Sequence, residues 1–192
     1  MSVRVLIAED EWLIAATLRS LIESHGYQVV GTAKTGTEAL SLCHAEHPDV
    51  VVMDVQMPEM DGLAATRALM EDSPTCVVIS TGKSQLEQLA EQVGAMNYII
   101  KPLLWNQIPT VVESSRQRFE QFMTVRQEAK SFQEALDGWL MVKHGIQLLV
   151  EEQALSEAEA FQCIRQEAAL MCCSLRTAAE RLAQRAKRPK IA

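Results

Sequence analysis

No apolar run in this chain approaches the ~20 residues a membrane span needs. The N-terminal MSVRVLIAEDEW meets acids after five apolar positions. That is too short for a signal-peptide core and reads instead as a buried strand. A soluble, cytoplasmic protein with no membrane partner is expected. Metal-ligand cysteine spacing is absent as well. Cys43, Cys76, Cys163, Cys172 and Cys173 make an odd number, with no CxxC and no His/Cys pattern. Reduced thiols packed as small hydrophobes are expected, and a redox role for the Cys172–Cys173 pair is the alternative. No internal repeat or low-complexity segment occurs. The run Gly31-Thr32-Ala33-Lys34-Thr35-Gly36-Thr37 lacks the lysine that must follow the second glycine of a phosphate-binding loop.

Positive charge is also short. The net charge of −7 excludes nucleic-acid binding over the whole surface. Its distribution is uneven, however. Residues 156–192 hold seven Lys/Arg against four Asp/Glu, a balance of +3, which leaves −10 for residues 1–155. An acidic front with a basic tail permits nucleic-acid contact at the tail. Hydrophobic residues make up 48% and charged residues 22%, so a packed core is expected and disorder is not.

Over the first 103 residues, Val- and Ile-rich runs alternate with amphipathic segments. Strands are expected near 3–8, 29–31, 49–53, 77–80 and 98–100, and helices near 13–24, 37–44, 63–71 and 85–93. Such alternation implies an α/β fold, a parallel sheet covered on both faces. Beyond Pro102 no strand signal returns. From Ile108 to Val150 a 3,4 spacing holds through thirteen positions, ten of them apolar, including Phe122, Val125, Ala129, Phe132, Leu136 and Trp139. This heptad seam predicts a helix of ~42 residues, about 60 Å long. A small domain cannot cover such a length. A parallel coiled coil between two identical chains is expected, the alternative being a helix folded onto its own C-terminal bundle. Ser156-Glu157-Ala158-Glu159 predicts a capped helix towards Met171, and Ser174 the N-cap of a last helix through about Ala186.

Ligand sites in open parallel sheets form beyond the carboxyl ends of the strands. Glu9 and Asp10 fall at the end of the first strand, Asp54 at the third, Thr81 at the fourth and Lys101 at the fifth. Three carboxylates at one rim repel one another unless a cation sits among them. A hard, oxygen-seeking ion such as Mg²⁺ suits that chemistry. A carboxylate beside such an ion can attack phosphorus. Asp54 is therefore the candidate nucleophile, Glu9 and Asp10 the metal holders, Lys101 the phosphoryl clamp and Thr81 the hydroxyl donor.

Residues 1–120 resemble response-regulator receiver domains. The resemblance rests on Glu9-Asp10-Glu11 after the first strand, on Asp54-Val55-Gln56-Met57-Pro58-Glu59-Met60-Asp61-Gly62, and on Tyr98-Ile99-Ile100-Lys101-Pro102. It implies a flavodoxin-like doubly wound sheet of order 2-1-3-4-5 and phosphorylation of Asp54 from a histidine kinase. It also implies an Mg²⁺ shell completed by the Gln56 carbonyl and a coupled switch pair, Thr81 and Tyr98. A packed strand residue is the plain alternative for Tyr98.

Residues 136–192 lack a helix-turn-helix or winged-helix pattern. Leu155-Ser156-Glu157-Ala158-Glu159-Ala160-Phe161, then Ile164-Arg165, Ala168, Leu175 and Ala179, resemble the ANTAR module, a three-helix RNA-binding domain of transcription antiterminators. Together with the receiver resemblance and the heptad seam, this gives an expected receiver domain at 1–120, a coiled-coil linker helix at 108–150 and an ANTAR-like output domain at 136–192. It implies a regulator rather than an enzyme, dimerising to bind hairpin leader RNA. The RNA-binding candidates are Arg165, Arg176, Arg181, Arg185, Lys187 and Arg188. The chain departs from the module at Gly145-Ile146-Gln147, where the family has Ala-Lys-Gly, and at the apolar Cys172-Cys173 link. Those departures keep a phospho-regulated protein-interaction module open as the second class, and a DNA-binding regulator as a third.

Overall fold

The computed structural model describes residues 2–82, 91–101 and 105–186. The first unit, residues 1–123, is built on five parallel strands: β1 (Arg4–Ala8), β2 (Gln28–Ala33), β3 (Val50–Asp54), β4 (Val77–Thr81) and β5 (Asn97–Ile100). Their order is β2-β1-β3-β4-β5, the doubly wound sheet that the receiver resemblance implies. Every strand lies within two residues of its expected limits, and the central β1, β3 and β4 are Val- and Ile-rich runs buried on both faces, which have few other ways to pack.

Helices α1 (Trp12–Ser24), α2 (Gly36–Glu46) and α3 (Gly62–Asp72) follow β1, β2 and β3. Successive strand residues point to opposite faces. Val5 and Ile7 accordingly pack with Ala15, Leu18 and Ile22 of α1, and Leu6 and Ala8 pack with Ala39 and Cys43 of α2 and Leu69 of α3. The α1 contacts fall at i, i+3 and i+7, the stripe of an amphipathic helix. Residues 85–90 of the helix expected near 85–93 lie outside the described residues.

A helix α4 (Ile108–Gln153) runs for 46 residues, followed by α5 (Glu157–Leu170) and α6 (Leu175–Ala186). The seam expected along α4 divides into three parts. Ile108 and Ser115 are buried in the first unit and Val111 is half-buried there, and Ile108 and Val111 pack on the α1 face of the sheet. Phe122, Val125, Phe132, Leu136 and Trp139 stand exposed. Ile146 and Val150 pack beside buried Leu149 in the second unit, residues 124–192. A 3,4 spacing reports a buried face without saying what buries it, so the ends of the seam are covered by the chain itself.

The second unit closes on Leu149, Ala160, Ile164, Ala178 and Ala179. Ser156 caps α5 in a reciprocal capping box with Glu159. Ser174 Oγ accepts the Thr177 N–H at 3.1 Å at the start of α6. Both caps stand where the sequence places them. Gly145 is buried so closely on α6 that an added Cβ would lie 2.9 Å from Ala179 Cβ. Among the described residues, no helix is long and apolar enough to cross a membrane. All five cysteines are free thiols. Burial pushes the Cys43 and Cys76 thiols up to about 12, which keeps them protonated and inert.

Candidate phosphoacceptor site

The site forms because three parallel strands end together. Ala8 of β1 pairs with Met53 of β3, and Asp54 pairs with Ser80 of β4, so the residues just after these strands share one rim. The Lys101 N–H donates to the Thr81 carbonyl at 2.7 Å, bringing the end of β5 to the same place. Glu9 is 1% exposed and Asp54 7%, while Asp10 is exposed. One carboxylate oxygen from each of Glu9, Asp10 and Asp54 lies within 4.8 Å of the others.

Lys101 is the counter-ion of this group. Its Nζ donates to Glu9 Oε2 at 2.6 Å and stands 3.0 Å from Asp54 Oδ1. Burial raises the Glu9 pKa above the ordinary carboxylate value, and the Asp54 charge adds to the rise. The Lys101 hydrogen bond and charge offset only part of it. Burial alone would lower the Lys101 pKa, but the hydrogen bonds and charges of Glu9 and Asp54 outweigh it, and the net shift is upward. One ammonium among three carboxylates leaves negative charge uncompensated. Glu9 Oε1 is buried and has no hydrogen-bond partner among the described residues. An orphaned carboxylate oxygen beside two further carboxylates fits a divalent cation with oxygen ligands.

The loop after β3 is held by close backbone packing. A Cβ at Gly62 would fall 1.9 Å from the Asp54 carbonyl oxygen, and the Gly62 N–H donates to the Val55 carbonyl at 3.0 Å. Asp61 caps α3, its Oδ1 accepting the Ala64 N–H at 2.7 Å. The Gly36 N–H binds the Met60 carbonyl at 3.1 Å, tying this loop to the start of α2.

Glu9, Asp10, Asp54 and Lys101 are thus brought together. Thr81 is buried at the end of β4, and Gln56 is exposed in the loop after β3. Tyr98 is half-buried against the α2/α3 face of the sheet. Ser80 was not legible as a site residue. It is 1% exposed, with an Oγ lacking a hydrogen-bond partner among the described residues, and it pairs in register with Asp54. Inside an apolar strand a lone serine carries no signal of its own.

Of the basic candidates in the second unit, Arg165 and Arg181 are exposed on α5 and α6. Arg176 Nε donates to Glu180 Oε1 at 3.1 Å, and Arg185 Nη1 stands 3.2 Å from Glu167 Oε1. Lys187 and Arg188 lie outside the described residues.

A flavodoxin-like sheet with an acidic rim and one bridging lysine defines a signalling receiver. The response regulator receiver domain family matches residues 5–113, and the chain belongs to that family. Transcriptional regulatory protein PdtaR of Mycobacterium tuberculosis is 34% identical over 167 residues, spanning 86% of this chain and 82% of that protein. A protein-glutamate methylesterase/protein-glutamine glutaminase of Hahella chejuensis is 45% identical, but only over 51% of this chain and 30% of that enzyme. Among solved structures, the CheX–CheY–BeF3–Mg²⁺ complex of Borrelia burgdorferi is similar. It has 31% identity and a TM-score of 0.55, and the match covers 58% of this chain and 87% of that one. The chain is therefore a two-component response regulator, and its long-range likeness is to a transcriptional regulator.

Proposed function

We propose that a histidine kinase phosphorylates Asp54 of this chain, and that the phosphorylated chain dimerises through α4 and binds hairpin leader RNA with α5 and α6, causing transcription antitermination. The observation that carries the first half is the Lys101 ammonium held between Glu9 and Asp54 at the sheet rim. The support for the second half is likeness to a transcriptional regulator over 86% of the chain, together with Arg165 and Arg181 exposed on the output helices.

Glu9, Asp10 and Asp54, with the Gln56 carbonyl, would hold Mg²⁺, which when bound supplies positive charge for the phosphoryl oxygens. An Asp54 carboxylate oxygen forms the new bond to phosphorus. The phosphorus–nitrogen bond of the donor phosphohistidine breaks, and its electron pair stays on the imidazole. Lys101 Nζ donates to one phosphoryl oxygen and the Thr81 hydroxyl to another. Tyr98 reorients with Thr81 and relays the change. The exposed Phe122, Val125, Phe132 and Leu136 then form the pairing face.

The test combines sizing with RNA binding. Wild type treated with beryllofluoride is expected to become dimeric and to bind a two-hairpin RNA with an affinity that falls steeply with salt. Asp54→Ala is expected to stay monomeric and bind weakly. An Asp54→Ala chain that dimerises and binds like treated wild type removes the switch. Absence of RNA binding at low salt, with dimerisation intact, favours the protein-interaction reading.

A further inference from the structure

The second unit carries a groove that the acidic site does not use. It measures about 730 Å³ and is lined where α4 meets the first turns of α5 and α6. Two aromatic rings line it, Trp139 (58% exposed) and Phe161 (37% exposed), with Leu175 beside them. Cations stand at its edge. Lys143 Nζ lies 5.3 Å from the centre of the Trp139 ring, and Arg176 contributes its guanidinium. Arg176 Nε donates to Glu180 Oε1 at 3.1 Å. Glu157 is the one acid in the lining.

Two exposed rings beside Leu175 in one groove form a contiguous apolar patch rather than scattered exposed side chains. Flat rings flanked by Lys and Arg match an unpaired nucleobase and its phosphate. The base stacks on the ring faces, and the cations take the charge. The N-terminal turn of α6, which carries no acid, also contributes to the wall, and its dipole adds positive potential. Trp139 is the last exposed position of the α4 seam, while Phe161 and Leu175 lie on other helices and off it.

We infer that this groove is the seat of an unpaired base from the RNA loop, stacked on Trp139 and Phe161 with its phosphate on Lys143 and Arg176. The inference rests on the RNA-binding reading above and names the contact by which it acts. Sequence alone points the other way, since few aromatics fall in residues 136–192. The fold places two of them together.

The probe is a two-hairpin RNA with randomised loops, enriched by selection on the full beryllofluoride-treated chain. Trp139→Ala and Phe161→Ala are each expected to weaken the enriched RNA about 5- to 150-fold, with an unchanged salt slope. Trp139→Phe should restore most of the loss. Lys143→Ala should lower the salt slope by about one. Far-ultraviolet dichroism checks folding, and sedimentation checks pairing. Wild-type affinity in both alanine variants overturns the groove and leaves the RNA reading standing. A loss in Trp139→Ala that tracks loss of the dimer, with Phe161→Ala unaffected, assigns the tryptophan to chain pairing and also overturns it. A pool that yields no binder removes the RNA reading and the groove with it.

Discussion

The sheet unit and the helical unit spend their buried side chains differently. The first encloses long branched residues on both faces of its three central strands, with Val5, Leu6, Ile7, Val50, Val51, Val77, Val78 and Ile79 at 0% exposure. The second closes on three alanines, one leucine and one isoleucine. A core with many large members tolerates costly features, and this one carries a buried Glu9 beside Asp54. A core of alanines gains by close helix approach instead, so its stability rests on a few contacts.

The largest expected effect lies in the sheet unit. Lys101→Ala, measured without divalent cation, leaves Glu9 buried with no counter-charge and should cost about 4 kcal/mol in urea unfolding. The same pair sets a pH dependence. The Glu9 pKa is raised above 4.5 in the folded chain, so folding favours its protonated form. The stability this carries is whole below the unfolded value of 4.5 and is lost as pH rises through the folded value. Glu9→Gln should flatten that trend. A urea midpoint that falls as steeply with pH in the variant as in wild type would remove Glu9 as its source.

Next comes Ile164→Ala, which empties the larger of the two buried positions on α5 and should cost about 3 kcal/mol. If the loss is under 1 kcal/mol on the order-of-magnitude scale of core truncations, the helical unit is held by something other than this cluster. Gly145→Ala tests the close approach itself. Its Cβ must displace Ala179 of α6, at a cost of about 2 kcal/mol. A neutral result would mean that α4 and α6 can separate freely at that crossing. Ser156→Ala, which removes the cap of α5, should cost only about 1 kcal/mol by thermal unfolding. A larger loss would make the capping box part of a wider network.

What the sequence disclosed differs between the units for physical reasons. Strands of Val and Ile bounded by Gly and Asp have one stable arrangement, and so β1 to β5 and the acidic rim were legible from residue types and order. The distances were not: that Lys101 bridges Glu9 and Asp54, and that Glu9 keeps an orphaned oxygen, needs the folded backbone. Periodicity along α4 disclosed a helix, yet it could not separate Ile108 and Ser115, covered by their own unit, from exposed Phe132. In the helical unit, Ser156 and Ser174 were legible as caps because capping chemistry is local. The Gly145–Ala179 approach and the meeting of Trp139 with Phe161 depend on residues far apart in the chain, and small or isolated side chains announce neither.

Gly62 touches no phosphate and bears no charge, yet the start of α3 sits against the Asp54 carbonyl with room for a hydrogen and nothing larger. Drift at that position is closed to every other amino acid, for a reason unrelated to phosphotransfer. A genetic screen for silent signalling variants will therefore recover substitutions there and, unless protein abundance is measured alongside, file a collapsed chain as a broken catalytic centre.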